Sequence, residues 1–229
     1  MKFMARLGKT AIILLFLLIV SYNAPAMAEE PGENGFYIRV DGVRANVGGD
    51  MDENTAFQLE NSDYYYLAPS LDSGTGFGVS FGEYIGRWAG EVSFQSSSHN
   101  DEGELFDCDF EQINLDIKFY FLKSPRSPLS LYVQAGYFIP TYIIRDGAFI
   151  WPEGETEPTE IGDAKFTGDG FTGGLGLSLR LGSKLGLNGS VVFTRADLDR
   201  IKGLGKKGVP EDSFIVTNTV YRVGVVYFF

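Results

Sequence analysis

Residues 221–229 read Tyr-Arg-Val-Gly-Val-Val-Tyr-Phe-Phe. Every second residue, Tyr221, Val223, Val225, Tyr227 and Phe229, is apolar. The alternate set holds Arg222 and Gly224 with Val226 and Phe228. A period of two means a β-strand with two distinct faces. The apolar stripe runs to Phe229 with no polar residue trimming it. That suits a face whose neighbour is hydrocarbon better than one facing water.

The same alternation recurs upstream. In 35–44, Phe36, Ile38 and Val40 oppose Tyr37, Arg39 and Asp41. In 74–82, Phe77, Val79 and Phe81 oppose glycine and serine. In 88–96, Trp88, Val92 and Phe94 oppose Glu91, Ser93 and Gln95. In 111–121, Ile113, Leu115, Ile117, Phe119 and Phe121 oppose Asn114, Asp116, Lys118 and Tyr120. Segments 129–141, 170–181 and 184–195 repeat the pattern, and the last strand covers 213–229. No sustained 3.6-residue apolar period competes with it. The count is eight, or ten if 57–70 forms a further hairpin.

Connections alternate in length. Residues 45–73, 97–110, 142–169 and 196–212 form long ones; 83–87, 122–128 and 182–183 form short ones. An even number of strands joined by alternating long and short links predicts an all-β fold, a closed up-and-down antiparallel transmembrane barrel. Only one face of each strand can point into the narrow interior. Small and polar residues suit that space, and the Leu/Phe/Tyr face suits lipid. A soluble barrel with the faces reversed is the alternative on alternation alone.

Residues 1–28 read as a secretory signal peptide. Lys2, Arg6 and Lys9 precede the apolar run Ala11–Val20, and Ala26-Met27-Ala28 fits the small-x-small cleavage rule. Ten apolar residues are too few to cross a bilayer about 30 Å thick at ~1.5 Å per residue. The barrel domain is then 29–229, with 16 basic against 30 acidic residues, a formal charge of −14. That balance argues against a nucleic-acid partner, which requires a basic surface. The 29 glycines and the 31 Phe and Tyr residues suit a lipid-facing barrel. Cys108 is the sole cysteine, so no internal disulfide can form.

The series Arg222-x-Gly224-x-x-Tyr227-x-Phe229 resembles the C-terminal signal of bacterial outer-membrane β-barrels. The resemblance implies the barrel-assembly machinery as a partner and those four residues as what it reads. With the signal peptide and eight alternating strands, the chain resembles the small eight-stranded outer-membrane barrels, the opacity-protein and OmpA-barrel-like group. That implies a place in the outer membrane of a Gram-negative envelope, against outer-membrane lipid and lipopolysaccharide.

The inward sets collect Arg39, Asp41, Glu91, Asp116, Lys118, Arg180 and Arg222. Buried charges need partners, so these seven are expected to form ion pairs that largely fill the lumen. The functional alternative is a narrow pore for ions or small apolar solutes. Aromatic residues near strand ends, among them Tyr64–Tyr66, Trp88, Tyr120, Phe121, Tyr137, Phe138, Tyr142, Tyr227 and Phe229, are expected to build two interfacial girdles.

Segments 45–70 and 97–110 hold acidic residues and no Lys or Arg. Such loops could bind a divalent cation weakly, although Asp101-x-x-Glu104 and Asp107-x-Asp109 lack EF-hand spacing. The last loop differs: Arg195, Arg200, Lys202, Lys206 and Lys207 could meet lipopolysaccharide phosphates. His99, the single histidine, follows Ser96–Ser98 and precedes Asp101. A lipid A-modifying enzyme would need a nucleophile, base and acid in a geometry that adjacency does not supply. No catalytic, metal or cofactor site is therefore assigned. The expected function is a structural or surface-interaction barrel at the cell surface with long acidic loops, ahead of the pore and of the enzyme.

Overall fold

The computed structural model describes residues 34–50, 55–58, 63–100, 106–122, 128–152, 154–209 and 214–229. The signal-peptide reading, loop acids such as Asp52, Glu60, Asp101, Glu104 and Glu211, and most of the 122–128 turn lie outside the described residues. Eleven strands are present among the described residues: β1 Asn34–Gly49, β2 Thr55–Gln58, β3 Tyr64–Ala68, β4 Gly74–Ile85, β5 Trp88–Asn100, β6 Asp107–Leu122, β7 Leu129–Ile150, β8 Glu160–Arg180, β9 Leu185–Gly203, β10 Lys206–Gly208 and β11 Phe214–Phe228.

Eight of them close a barrel in the order β1, β4, β5, β6, β7, β8, β9, β11, every neighbour antiparallel. The ring is sealed by β11 against β1, from Tyr37 opposite Phe228 to Gly49 opposite Val216, and by the Phe229 N–H donating to the Phe36 carbonyl at 3.0 Å. Closure leaves no lipid-facing edge with unpaired backbone groups. Residues 57–70 do contribute a hairpin, β2–β3, but it stands on the barrel rather than in it. Besides its hairpin partner β2, strand β3 pairs among the described residues with the far end of β7, Tyr64–Tyr66 opposite Ala148–Ile150.

Turn chemistry follows local sequence. Gly86, at φ 60°, takes the first central position of the two-residue β4–β5 turn, where type II′ geometry needs positive φ. Leu204 and Gly205, at φ 47° and 77°, form the corresponding β9–β10 turn.

The long links are shorter than the alternation suggested, because β7, β8 and β9 run on as paired strands. β7 has 22 residues and β8 has 21, about twice the 9–11 needed to cross a bilayer. With β2, β3 and β10 they raise an open wall above the ring at the end of the long connections. Bulges between Ile144 and Ala148 and between Thr167 and Gly168 bend it.

The lower outer surface is apolar. From Phe171 on β8 to Leu181 just past its end, the outward residues span a band of about 25 Å, taking ~3.3 Å per residue and a ~40° tilt. Phe171, Val223 and Phe229 are 73%, 72% and 69% exposed. Trp88, Phe121, Tyr227 and Phe229 lie on this outer face. Tyr66, Tyr120, Phe138 and Tyr142, expected in the girdles, instead point inward and are buried, because their strand parity places them with the lumen set.

Candidate functional site: the barrel interior and its outer mouth

The interior is built in three layers. Along β1, Tyr37 belongs to the first and Arg39 and Asp41 to the second, while Val43 and Ala45 form a small apolar cluster of their own with Val192 and Val220. Nearest the short turns, Tyr37, Tyr84, Tyr120, Tyr132, Val226 and Phe228 pack together with Ala89. Ring centroids are 4.8 Å apart for Tyr37–Tyr84, 5.2 Å for Tyr84–Tyr120 and 5.1 Å for Tyr120–Tyr132. The Tyr84 and Tyr120 hydroxyls share a hydrogen bond of 2.8 Å, and Tyr132 donates to Asn188 Oδ1 at 3.1 Å.

Above them lies a charged layer centred on Glu91. Its Oε2 accepts from Lys118 Nζ at 2.6 Å and from the Tyr37 hydroxyl at 2.6 Å. Its Oε1 accepts from Arg39 Nη2 at 3.0 Å, and Arg39 Nε reaches Asp41 Oδ2 at 2.7 Å. Arg39 Nη2 also donates to Ser80 Oγ at 3.1 Å. Lys118 Nζ stands 5.0 Å from the Tyr132 ring centroid, so the aromatic floor faces a cation. Strands β1 and β6 thus converge on one carboxylate carried by β5, and β4 joins the network through Ser80 on Arg39. Asp116 is held separately, accepting from Thr172 Oγ1 at 2.7 Å. Arg222 Nε donates to Gln95 Oε1 at 3.2 Å, as does Gln112 Nε2 at 3.2 Å.

The structure therefore brings Arg39, Asp41, Glu91 and Lys118 into one network and buries Asp116 and Arg222 beside it. Arg180 is a correction. It lies on the inward side of β8 but is that strand's last residue, so it sits at the open rim. There it is exposed, with its guanidinium carbon 4.6 Å from the Phe228 ring centroid. Of the four residues in the C-terminal series, Arg222 and Gly224 face the lumen, whereas Tyr227 and Phe229 face outward, with ring centroids 5.2 Å apart. A Cβ at position 224 would run into the Asp41 carboxylate, so glycine there gives the network its room.

The third layer was not expected. The inward sets predict an interior of small and polar residues; the upper half of the lumen is apolar instead. Tyr66, Leu71, Cys108, Phe110, Phe138, Tyr142, Ile144, Phe166, Leu198, Ile201, Phe214 and Val216 form one buried cluster, with alanines between them. Phe110 stacks on Tyr142 at 4.4 Å and Phe166 meets Phe214 at 5.7 Å. The signal was present as inward parity: Tyr142, Ile144, Phe166, Ala196 and Leu198 continue the lumen set of their strands beyond the point where the outward set becomes polar.

His99 is buried at the edge of this cluster. One ring nitrogen, Nε2, lies 3.0 Å from Ser97 Oγ, and Nδ1 lies 2.9 Å from the Asp72 carbonyl oxygen. Its orienting partner is thus a backbone carbonyl in the strap between β3 and β4, not a carboxylate. At the outer rim Asp109 accepts from Ser98 Oγ at 2.9 Å and from Arg145 at 3.2 Å. No group of three or more metal-ligating side chains occurs among the described residues.

Comparison with known proteins agrees with this architecture. The family model for the outer membrane protein beta-barrel domain matches residues 12–229. The solved structure of Neisserial surface protein A is similar, with a TM-score of 0.52 at 14% identity over 85% of this chain and 97% of its own. OprG of Pseudomonas aeruginosa aligns with a TM-score of 0.48 at 19% identity over 85% and 96%. Ail, the attachment invasion locus protein of Yersinia pestis, aligns at 0.45 and 16% over 85% and 99%. No curated protein matches the chain.

Proposed function

The chain belongs to the outer membrane protein β-barrel family and resides in the bacterial outer membrane, and from that premise we propose a structural and surface-interaction role with a closed lumen. The observation that carries this reading is the stacked interior. A tyrosine floor, a charged layer and an apolar upper cluster follow one another along the axis of an eight-stranded barrel, which has room for little besides side chains. What such a protein offers its surroundings is its outer wall and surface loops, several of them acidic. Those loops are the proposed contact surface, with weak divalent-cation binding as a secondary property.

A second reading, a narrow pore, draws on one observation. Midway up the lumen, Asp41 Oδ1, Asp116 Oδ2, Arg222 Nη2, Ser190 Oγ and both polar atoms of Gln134 are buried without a protein hydrogen-bond partner. Buried polar groups of this kind are commonly satisfied by water. The apolar cluster above argues for a hydrated chamber rather than a through-path. Planar-bilayer recording decides between them. The closed-barrel reading expects no sustained conductance from the pure protein; a steady unitary conductance would replace it with the pore. Lipid A modification ranks last, because Ser97 and His99 are buried and their third partner is a carbonyl.

Export by a cleaved signal peptide at 1–28 and recognition of Arg222, Gly224, Tyr227 and Phe229 by the barrel-assembly machinery complete the proposal. Phe229→Ala, which removes an exposed ring and no lumen contact, should lower the folded barrel recovered from outer membranes while leaving refolding in detergent intact. Equal recovery would refute the assembly role.

A further inference from the structure

Three lysines occupy one line across the wall that rises above the apolar band. Lys165 on β8 is the register partner of Lys202 on β9, and Lys202 is the partner of Lys207 on β10. Directly paired residues in an antiparallel sheet project from the same face, with Cβ atoms about 5 Å apart. All three are exposed, and among the described residues none makes an ion pair. Like charges set opposite one another repel and weaken the pairing. A multiply charged anion lying across the row would turn that repulsion into attraction, and lysine ammonium groups bind phosphate as point charges.

Height and direction identify the anion. Phe171 is the last residue of the apolar band on β8, and Lys165 lies six residues further along, about 15 Å above the band at ~3.3 Å per residue and ~40° tilt. Arg195 is the register partner of Phe171 and marks the band's edge. Between the two levels Asp169 pairs with Asp197, and Asp163 stands next to Lys165 on its own strand, so the cations act at two separate heights. The row faces sideways, along the membrane plane, toward whatever stands beside the barrel just outside the acyl region. A soluble macromolecule would approach from above.

We propose that Lys165, Lys202 and Lys207 form a binding row for the phosphorylated sugar head of an outer-leaflet glycolipid, with Arg195 contacting phosphate at the lipid boundary. This inference rests on the outer-membrane reading and adds to it a ligand class and a face. The acidic character of the chain as a whole makes the row the barrel's local point of attraction for that anionic layer, and salt should weaken it.

The test uses the full mature protein refolded in detergent and titrated with purified rough-type lipopolysaccharide, bound glycolipid being counted by native mass spectrometry. The variant K165Q/K202Q/K207Q should bind about tenfold more weakly, as the loss of three exposed charge contacts implies, with a flatter salt dependence. Dephosphorylated lipopolysaccharide should bind the unaltered protein as weakly as the variant binds the native glycolipid. K184Q, at the opposite end of the barrel, should bind normally. Equal affinity of the triple variant and the unaltered protein overturns the inference. So does displacement of the glycolipid by millimolar inorganic phosphate, which would make the row a free-phosphate site. A gel of boiled and unboiled samples separates the two levels of failure. Without a folded-form mobility shift the membrane-barrel reading itself falls; with the shift but without phosphate-dependent binding, only the lysine row does.

Discussion

The lower and upper halves of this barrel share strands, pairing and parity, yet they are inside-out relative to each other. On β8, Leu175, Leu177 and Phe171 face outward below, while Thr172 and Ser178 face in. Further up, Asp163, Lys165 and Asp169 face outward, while Ala164 and Phe166 face in. On β9 the exchange falls between Phe193 and Arg195, its outward neighbour two residues on. The lower half is a membrane barrel with polar filling; the upper half follows the soluble plan, apolar core and polar coat. The backbone does not register the change. Solvent does: hydrocarbon outside permits ion pairs within, and water outside calls for an apolar interior. The level of the exchange marks the outer boundary of the membrane on the molecule.

The contrast predicts how each half fails. The largest loss should come from Glu91→Ala, which strands Arg39 and Lys118 as buried cations and should cost about 3–5 kcal/mol in urea titrations of the vesicle-inserted protein. An effect below about 1 kcal/mol would mean that the charged layer is already hydrated. Leu198→Ala in the upper cluster should cost about 3 kcal/mol through the cavity it leaves, without unpairing any charge. Thr172→Val removes one hydrogen bond to a carboxylate and should cost about 2 kcal/mol. Ile144→Val, a single methyl group in the upper cluster, should cost about 1 kcal/mol.

The comparison sharpens if the charged layer is replaced outright. Tyr37→Phe, Arg39→Met, Asp41→Leu, Glu91→Leu and Lys118→Met together remove the network with its hydroxyl donor. A barrel within about 2 kcal/mol of the unaltered protein would show that the layer specifies register rather than supplying stability. Loss of the folded state would show that the lower half, unlike the upper, depends on charge.

The same inversion explains what the sequence made legible. Within the membrane the two faces differ sharply in polarity, so the strands around Ile113–Phe121 and Tyr221–Phe229 stand out, and with them the barrel, the strand number and six of the seven inward charges. Arg180 has the right parity, but its distance from the end of the strand, which decides burial, is a matter of stagger between neighbours rather than of local pattern. Beyond Phe171 and Phe193 the faces exchange roles. There an alternation pinned to apolar-outward breaks off, and residues 142–150, 160–169 and 196–203 read as loops. The pairing of Tyr64–Tyr66 with Ala148–Ile150 joins segments some 80 residues apart, a contact no local period encodes.

Gly224 carries two obligations at once. It is part of the series through which the assembly machinery is proposed to recognise the chain, and it is also the gap that admits Asp41. Any side chain placed there would confound delivery with folding, since a barrel never inserted and a barrel inserted but unable to seat its charges would both vanish from the membrane. On that proposal, address and keystone meet in one residue. Genetic dissection of its biogenesis must therefore work through Tyr227 and Phe229, whose outward side chains let recognition be altered while the interior is left alone.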